Sequence, residues 1–145
     1  MIGFTKTYTD FNGVEKTETF HFNLTKAELA KLALGPAGGL EAMLQEIINT
    51  SDTARIMELV ETIILDAYGK KTPDGRFIKK DKDGHKLSDD FAQSAAFDEF
   101  FMELMFNPDK LVDFINGCVP AELSSEAGMQ RASEQAKARI AAINS

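Results

Sequence analysis

Apolar and polar residues alternate in two short runs at the start of the chain, then change to helical spacing. Residues 2–9 and 14–22 read as two strands joined through Asp10-Phe11-Asn12-Gly13. Two registers compete. A two-residue Asn12-Gly13 loop sets Phe4 opposite His21 and Tyr8 opposite Thr17. A three-residue loop sets Ile2 opposite Phe22, Phe4 opposite Phe20 and Lys6 opposite Glu18. The second is preferred. It gathers the apolar side chains on one face and makes an opposite-charge pair. It also puts Gly13 where a type I turn with a bulge needs positive φ. The other face, Thr5, Thr7, Thr9, Thr17 and Thr19, reads as solvated. A lone hairpin is marginal in water, so its Phe face must pack on helices.

Thr25-Lys26-Ala27-Glu28 is a capping box that opens a helix to about Leu34, with Leu24 and Leu29 placed as a staple. Gly35-Pro36-Ala37-Gly38-Gly39 ends it. A second helix, about Leu40 to Asn49, presents Leu40, Met43, Leu44 and Ile47. A third starts at Ser51 or Asp52 and ends near Gly69. Its apolar positions Ile56, Leu59, Val60, Ile63, Ile64 and Ala67 recur at 3.6 spacing, which puts it at the centre of the core. Residues 70–87 break the pattern. Pro73-Asp74-Gly75 and Asp83-Gly84 are turn signals around a short Phe77-Ile78 strand, which suggests a small ribbon. Ser88 is expected to cap a fourth helix running through Met105, and Asn107-Pro108 to stop it and start a fifth. Leu111, Phe114 and Ile115 form the apolar side of that fifth helix, and Asn116-Gly117 and Pro120 close it. From Ala121 the composition turns Ala-rich, with Met129, Ala132, Ala136, Ile140 and Ile143 as a thin stripe. The expected architecture is α+β, mostly α. An N-terminal hairpin packs on about five helices in one domain over 1–120, and 121–145 form a loosely attached tail, helical or flexible.

The totals bound this picture without adding chemistry. A chain of 145 residues suits one domain and buries roughly 70% of its unfolded surface. The eleven Phe and absent Trp make Phe the main aromatic packing residue. One Cys and two His are too few for a typical structural zinc site, and Cys118 reads as a buried free thiol. The start of the chain lacks a signal-peptide pattern, and no apolar run approaches a membrane span, so a cytoplasmic protein is expected. The net charge of −7 argues against general nucleic-acid binding. Residues 70–86 depart from that balance. They hold seven Lys/Arg and three Asp, a local charge of +4, which leaves −11 for the remainder. Lys70, Lys71, Arg76, Lys79 and Lys80 are therefore candidates for contact with a partner, against the plainer reading of a solvated loop.

Other constellations fail on their own terms. Asp81-Lys82-Asp83-Gly84 hints at an EF-hand loop, but aligning Gly84 puts Lys79 where a carboxylate is required. His21 and His85 have no nucleophile or orienting group at a useful spacing. The glycines at 35, 38 and 39 do not form a phosphate loop. No catalytic, cofactor or metal residue is expected. Phe97, Phe101 and Leu104 read as sharing one side of the fourth helix, with Phe100 turned toward another. Core packing is the default, yet the wide apolar arc permits an exposed strip. Met43, Met57, Met102 and Met105 add adaptable side chains of the kind used on promiscuous surfaces. Phe97, Phe100, Phe101, Leu104 and Met105 are thus candidates for binding a client.

Four segments occur in an order that carries a resemblance. They are TYTDFNGVEKTETFHFNLTKAEL from Thr7, ILDAYGKKTPDGRFIK from Ile64, FAQSAAFDEFFMEL from Phe91 and FINGCVP from Phe114. In this combination the chain resembles, over about residues 4–120, the tail assembly chaperones of long-tailed bacteriophages, particularly those of Gram-positive hosts. The resemblance implies a non-enzymatic protein of the host cytoplasm, absent from the mature virion. Such a protein holds the tape measure protein in solution and helps tail tube subunits assemble around it. It also implies a frameshifted longer form of the chain as a partner, and leaves association of the chain with itself open. The competing reading is a small structural or completion protein of the tail, which would remain in purified particles.

Overall fold

The computed structural model describes residues 1–34, 39–120 and 137–143. Strands β1 (Ile2–Thr9) and β2 (Glu15–Phe22) precede α1 (Lys26–Leu34), α2 (Leu40–Asn49) and α3 (Thr53–Ala67). Strands β3 (Tyr68–Lys71) and β4 (Phe77–Ile78) follow, then α4 (Leu87–Ala92), α5 (Ala95–Phe106) and α6 (Pro108–Cys118). A last helix, α7, covers 137–143. The architecture is α+β and mostly helical, with the hairpin face turned onto helices.

The three-residue register is the one formed. Ile2 pairs with Phe22, Phe4 with Phe20 and Lys6 with Glu18. The turn explains why. The Asp10 N–H donates to the Val14 carbonyl at 2.9 Å, and the Gly13 N–H donates to the Asp10 carbonyl at 3.0 Å. The Asp10 carboxylate accepts from the N–H groups of Asn12 and Val14, and Gly13 sits at φ 79°. The Val14 N–H, then the Lys16 ammonium and the Asn12 N–H, hold the Asp10 carboxyl below its usual range. The same pattern recurs at Thr72–Arg76 with Gly75 at φ 88°, and at Asp81–His85 with Gly84 at φ 83°. On the solvated face the hydroxyls of Thr5 and Thr19, and of Thr7 and Thr17, bond across the strands at 2.9 and 2.8 Å.

The expected Lys6–Glu18 ion pair is not made, although the two residues are opposite. Lys6 reaches inward to Glu103 on α5 at 2.5 Å, and Glu18 accepts from the Tyr8 hydroxyl at 2.6 Å. That bond raises the Tyr8 hydroxyl to about 12. Lys6 thus ties the outer strand to a helix instead of to its neighbour in the sheet.

The hairpin is also not the whole sheet. The order is β1-β2-β3-β4, all antiparallel, with His21 opposite Gly69 and Phe22 opposite Tyr68. The segment after α3 therefore extends the hairpin. Helix periodicity hides this, because Tyr68 and Gly69 continue the buried side of α3 into the strand. Gly69 is required there, since a Cβ would lie 2.5 Å from the Phe77 ring and 2.7 Å from the Ile78 carbonyl oxygen.

The capping box forms as read. The Thr25 N–H donates to Glu28 Oε1 at 3.0 Å, and the Glu28 N–H donates to Thr25 Oγ1 at 3.1 Å. Helices α2 and α3 bury the ten apolar residues anticipated for them. Asp52 caps α3 by accepting from the N–H groups of Ala54 and Arg55. The single helix expected from Ser88 to Met105 is two. Ser94 accepts from the Phe97 N–H at 3.2 Å and donates to the Phe91 carbonyl at 2.7 Å, which ends α4 and restarts the chain as α5. Ser88 is not the cap of α4, which begins at Leu87 with no side-chain cap. Asn116 and Gly117 do not end α6 either, since it runs on to Cys118.

Phe22 is the centre of the core. It is fully buried and meets Phe100 in a stacked pair with centroids 4.9 Å apart, and Phe114 edge-on at 5.0 Å. Tyr68 stacks on Phe91 at 4.2 Å beside it. Cys118 lies in the same core, and burial pushes its thiol up to about 12, so it is an inert hydrophobe at neutral pH. Ile140 of α7 is also fully buried there, and the Arg139 guanidinium donates to the Thr50 carbonyl at 2.7 Å. Helix α7 thus docks on the body. Met129, Ala132 and Ala136 of the expected stripe, and the connector at 35–38, lie outside the described residues.

Candidate functional site

Helix α5 is set by its ends. Ser94 starts it, and Asn107 closes it while capping α6 through a bond from the Lys110 N–H at 3.3 Å. Between them the helix is apolar over most of its circumference, so packing alone decides which arc faces inward. Ala96, Phe100 and Leu104, spaced four apart, form the inner stripe, with Met105 beside it. Phe100 meets Phe4 edge-on at 5.2 Å in addition to Phe22. Phe100, Leu104 and Met105 are each 2% exposed, so these three candidates are core residues and present no surface to a client. Leu104 accordingly shares its side with Phe100, not with Phe97 and Phe101.

Phe97 and Phe101 are half-buried. Their rings stack at 5.9 Å, and Phe97 meets the edge of Phe91 at 5.5 Å. The solvent side of α5 carries Met102, 41% exposed, and Phe106, 60% exposed. These are one turn apart on a single face. Sequence reading singles out Met102 only as an adaptable side chain and misses Phe106, whose place at the helix end hides that it continues the Met102 stripe. Asp98 and Glu99 are exposed on the same side. Glu103, by contrast, is taken up by Lys110 and Lys6, which hold its carboxyl below the usual range. A second exposed apolar pair, Phe11 and Val14, stands at the hairpin tip.

The basic residues divide. Lys70, Lys71 and Lys80 are exposed, and Arg76 is exposed but holds Asp74 at 3.1 Å. Lys79 is different in kind. Its ammonium lies 2.5 Å from Glu28, and donates to the carbonyls of Asn23 at 2.8 Å and Asp66 at 2.7 Å. It ties the ends of β2 and α3 to the start of α1, and all three of its donors are used within the fold. Lys79 therefore has a structural role that the other basic residues of the segment lack. Burial pushes the Glu28 carboxyl up, but the Lys79 ammonium and the Thr25 N–H outweigh it and hold it below its usual range.

Lys79→Met should cost about 1–3 kcal/mol, because it strands a carboxylate and two carbonyls. Urea unfolding at neutral pH measures this. A carboxyl whose folded value is depressed stabilises above its unfolded value and loses that contribution as pH falls through its folded value. The gap between wild type and variant should therefore be full above about pH 4.5 and shrink below it. A gap that does not change with pH would rule out the Glu28 pairing as its source.

Asp81, Asp83 and His85 bring ligand atoms within 4.8 Å of one another, but all three are exposed. The Asp81 carboxylate accepts from the N–H groups of His85 and Asp83, which lower its pKa and close the turn. That is the charged surface turn read from the sequence. No helix among the described residues is long and apolar enough to cross a membrane.

The sequence model of a family described as phage tail assembly chaperone matches residues 1–143. The match reaches beyond the resemblance at 4–120 and takes in the docked residues of α7. No curated protein and no solved structure matches the chain.

Proposed function

We propose, because this chain belongs to the phage tail assembly chaperone family, that it binds the tape measure protein, keeps it soluble, and helps tail tube subunits assemble around it. Its place of work is the host cytoplasm, and it leaves before the virion is complete. A frameshifted longer form sharing this domain would act beside it. The observation that carries the client-binding reading is the outer side of α5. Met102 and Phe106 stand exposed one turn apart, with the half-buried Phe97 and Phe101 on the same helix. Single exposed apolar residues are ordinary on a protein surface. A run of Phe and Met along one helix is the kind of surface that receives amphipathic client helices.

Co-expression with the tape measure protein tests this. The client should move from the insoluble to the soluble fraction and co-purify with the chain. Met102→Ser with Phe106→Ser should abolish most of that capture while leaving the thermal midpoint within about 2–4 °C, since both side chains are already exposed. Capture unaffected by the double substitution would remove α5 as the site. Mass spectrometry of purified particles should find no copy of this chain, and its stoichiometric presence would favour a structural tail protein instead.

A further inference from the structure

The outer side of α5 is not simply apolar. Asp98 lies one turn before Met102, which lies one turn before Phe106, so the three line a single stripe with Glu99 beside it. Asp98 and Glu99 are exposed and make no ion pair among the described residues. Two other carboxylates of this region are paired within the fold: Glu103 with Lys6 and Lys110, and Asp109 with Lys137. Two apolar side chains are therefore bordered by two uncompensated negative charges. Placement in the first turn of the helix explains why Asp98 is tolerated there. It does not account for the exposed Met102 and Phe106 that share their stripe.

From this charge pattern we infer that the client segment seated on α5 is a basic amphipathic helix, with apolar residues at three- and four-residue spacing flanked by Lys or Arg. The inference rests on the client-binding reading above and deepens it. The apolar strip supplies contact area, and the carboxylates select against acidic segments and steer basic ones. An acidic helix would meet like charge at Asp98 and Glu99 in addition to a chain whose net charge is −7. The α5 helix of 12 residues accommodates roughly three turns of such a partner.

The test uses the full chain and two synthetic helical peptides of roughly three to four turns, one of Leu and Lys and one of Leu and Glu in the same apolar pattern. Fluorescence anisotropy should show the Leu/Lys peptide binding, less tightly as salt rises, and the Leu/Glu peptide not binding. Met102→Ser with Phe106→Ser should weaken the Leu/Lys peptide about tenfold, equivalent to ~1.4 kcal/mol. Asp98→Lys with Glu99→Lys should weaken it at least as much and admit the Leu/Glu peptide. The control is Glu41→Lys with Glu61→Lys, which makes the same charge change at exposed positions on α2 and α3. It should leave binding near the wild-type value. If the control weakens binding as much as the α5 charge reversal, the attraction is to net charge, and the assignment to α5 is overturned. Equal binding of both peptides to the wild-type chain overturns it too. Capture of the tape measure protein separates the two readings. Capture lost with the serine pair but kept with the lysine pair defeats the basic-helix inference alone, whereas a wild-type chain that captures nothing defeats the client-binding reading itself.

Discussion

Phe22→Ala is expected to cost about 3–5 kcal/mol of folding stability, a large share of what a domain of this size possesses. The side chain is fully buried. Its ring contacts those of Phe4, Tyr68, Phe91, Phe100 and Phe114, at centroid distances from 4.9 to 6.3 Å. These partners come from β1, β3, α4, α5 and α6, so the cavity would open where the sheet and three helices converge. Such a site collapses poorly, because each neighbour is held by its own element, and that places the cost at the upper end for an aromatic truncation. Urea unfolding should show a lower midpoint with little change in slope. Phe11→Ala supplies the contrast. Phe11 is 82% exposed at the hairpin tip, and its truncation should stay within about 0.5 kcal/mol of wild type. A Phe22→Ala variant as stable as Phe11→Ala would show that the ring cluster is not the centre of the core.

Gly117→Ala is the second large effect, and its sign is the informative part. Gly inside a helix usually costs about 1 kcal/mol relative to Ala, so propensity alone favours the alanine. At this position β1 crosses α6 so closely that a Cβ would lie 2.4 Å from Ile2 Cδ1 and 2.8 Å from Ile2 Cβ. The first contact can be relieved by rotating the Ile2 side chain. The second cannot, because Cβ moves only with the backbone. Overpacking of this kind costs about 1–3 kcal/mol, and over most of that range it outweighs the propensity gain. The expected result is a net loss of up to about 2 kcal/mol by the same unfolding assay. In an Ile2→Ala background the loss should shrink, since Cδ1 and Cγ1 are gone, and the difference between backgrounds measures the coupling. A stabilising Gly117→Ala would mean that β1 does not lie against α6 as described.

These two sites mark where sequence reading succeeds and where it stops. Phe22 was legible as a core residue, because the Asp10–Gly13 turn chemistry selects one register and that register places Phe22 with Ile2, Phe4 and Phe20. Gly117 was legible only as a helix terminator. A glycine in a helix looks the same in sequence whether it ends the helix or admits another strand, and Ile2 is more than a hundred residues away. Lys79 behaves likewise. In a run of basic residues it resembles its neighbours, and only the meeting of β2, α1 and α3 gives it three acceptors. On α5 the sequence shows a helix with more apolar residues than one face can bury. It cannot say which arc is inside, so Phe100, Leu104 and Met105 stood beside Phe97 and Phe101 as equal candidates.

Local rules are short in range, and they determined what is short in range: the hairpin register, the capping box at Thr25, the buried stripes of α2 and α3, and the family-bearing segments. The tertiary structure decided everything that depends on two distant segments meeting. It set the third and fourth strands onto the hairpin, turned Lys6 from Glu18 to Glu103, put Phe100 against Phe22, and left Met102 and Phe106 outside. The physical reason is that turns and caps are satisfied by atoms within a few residues, whereas burial is a competition among all apolar surfaces for one core.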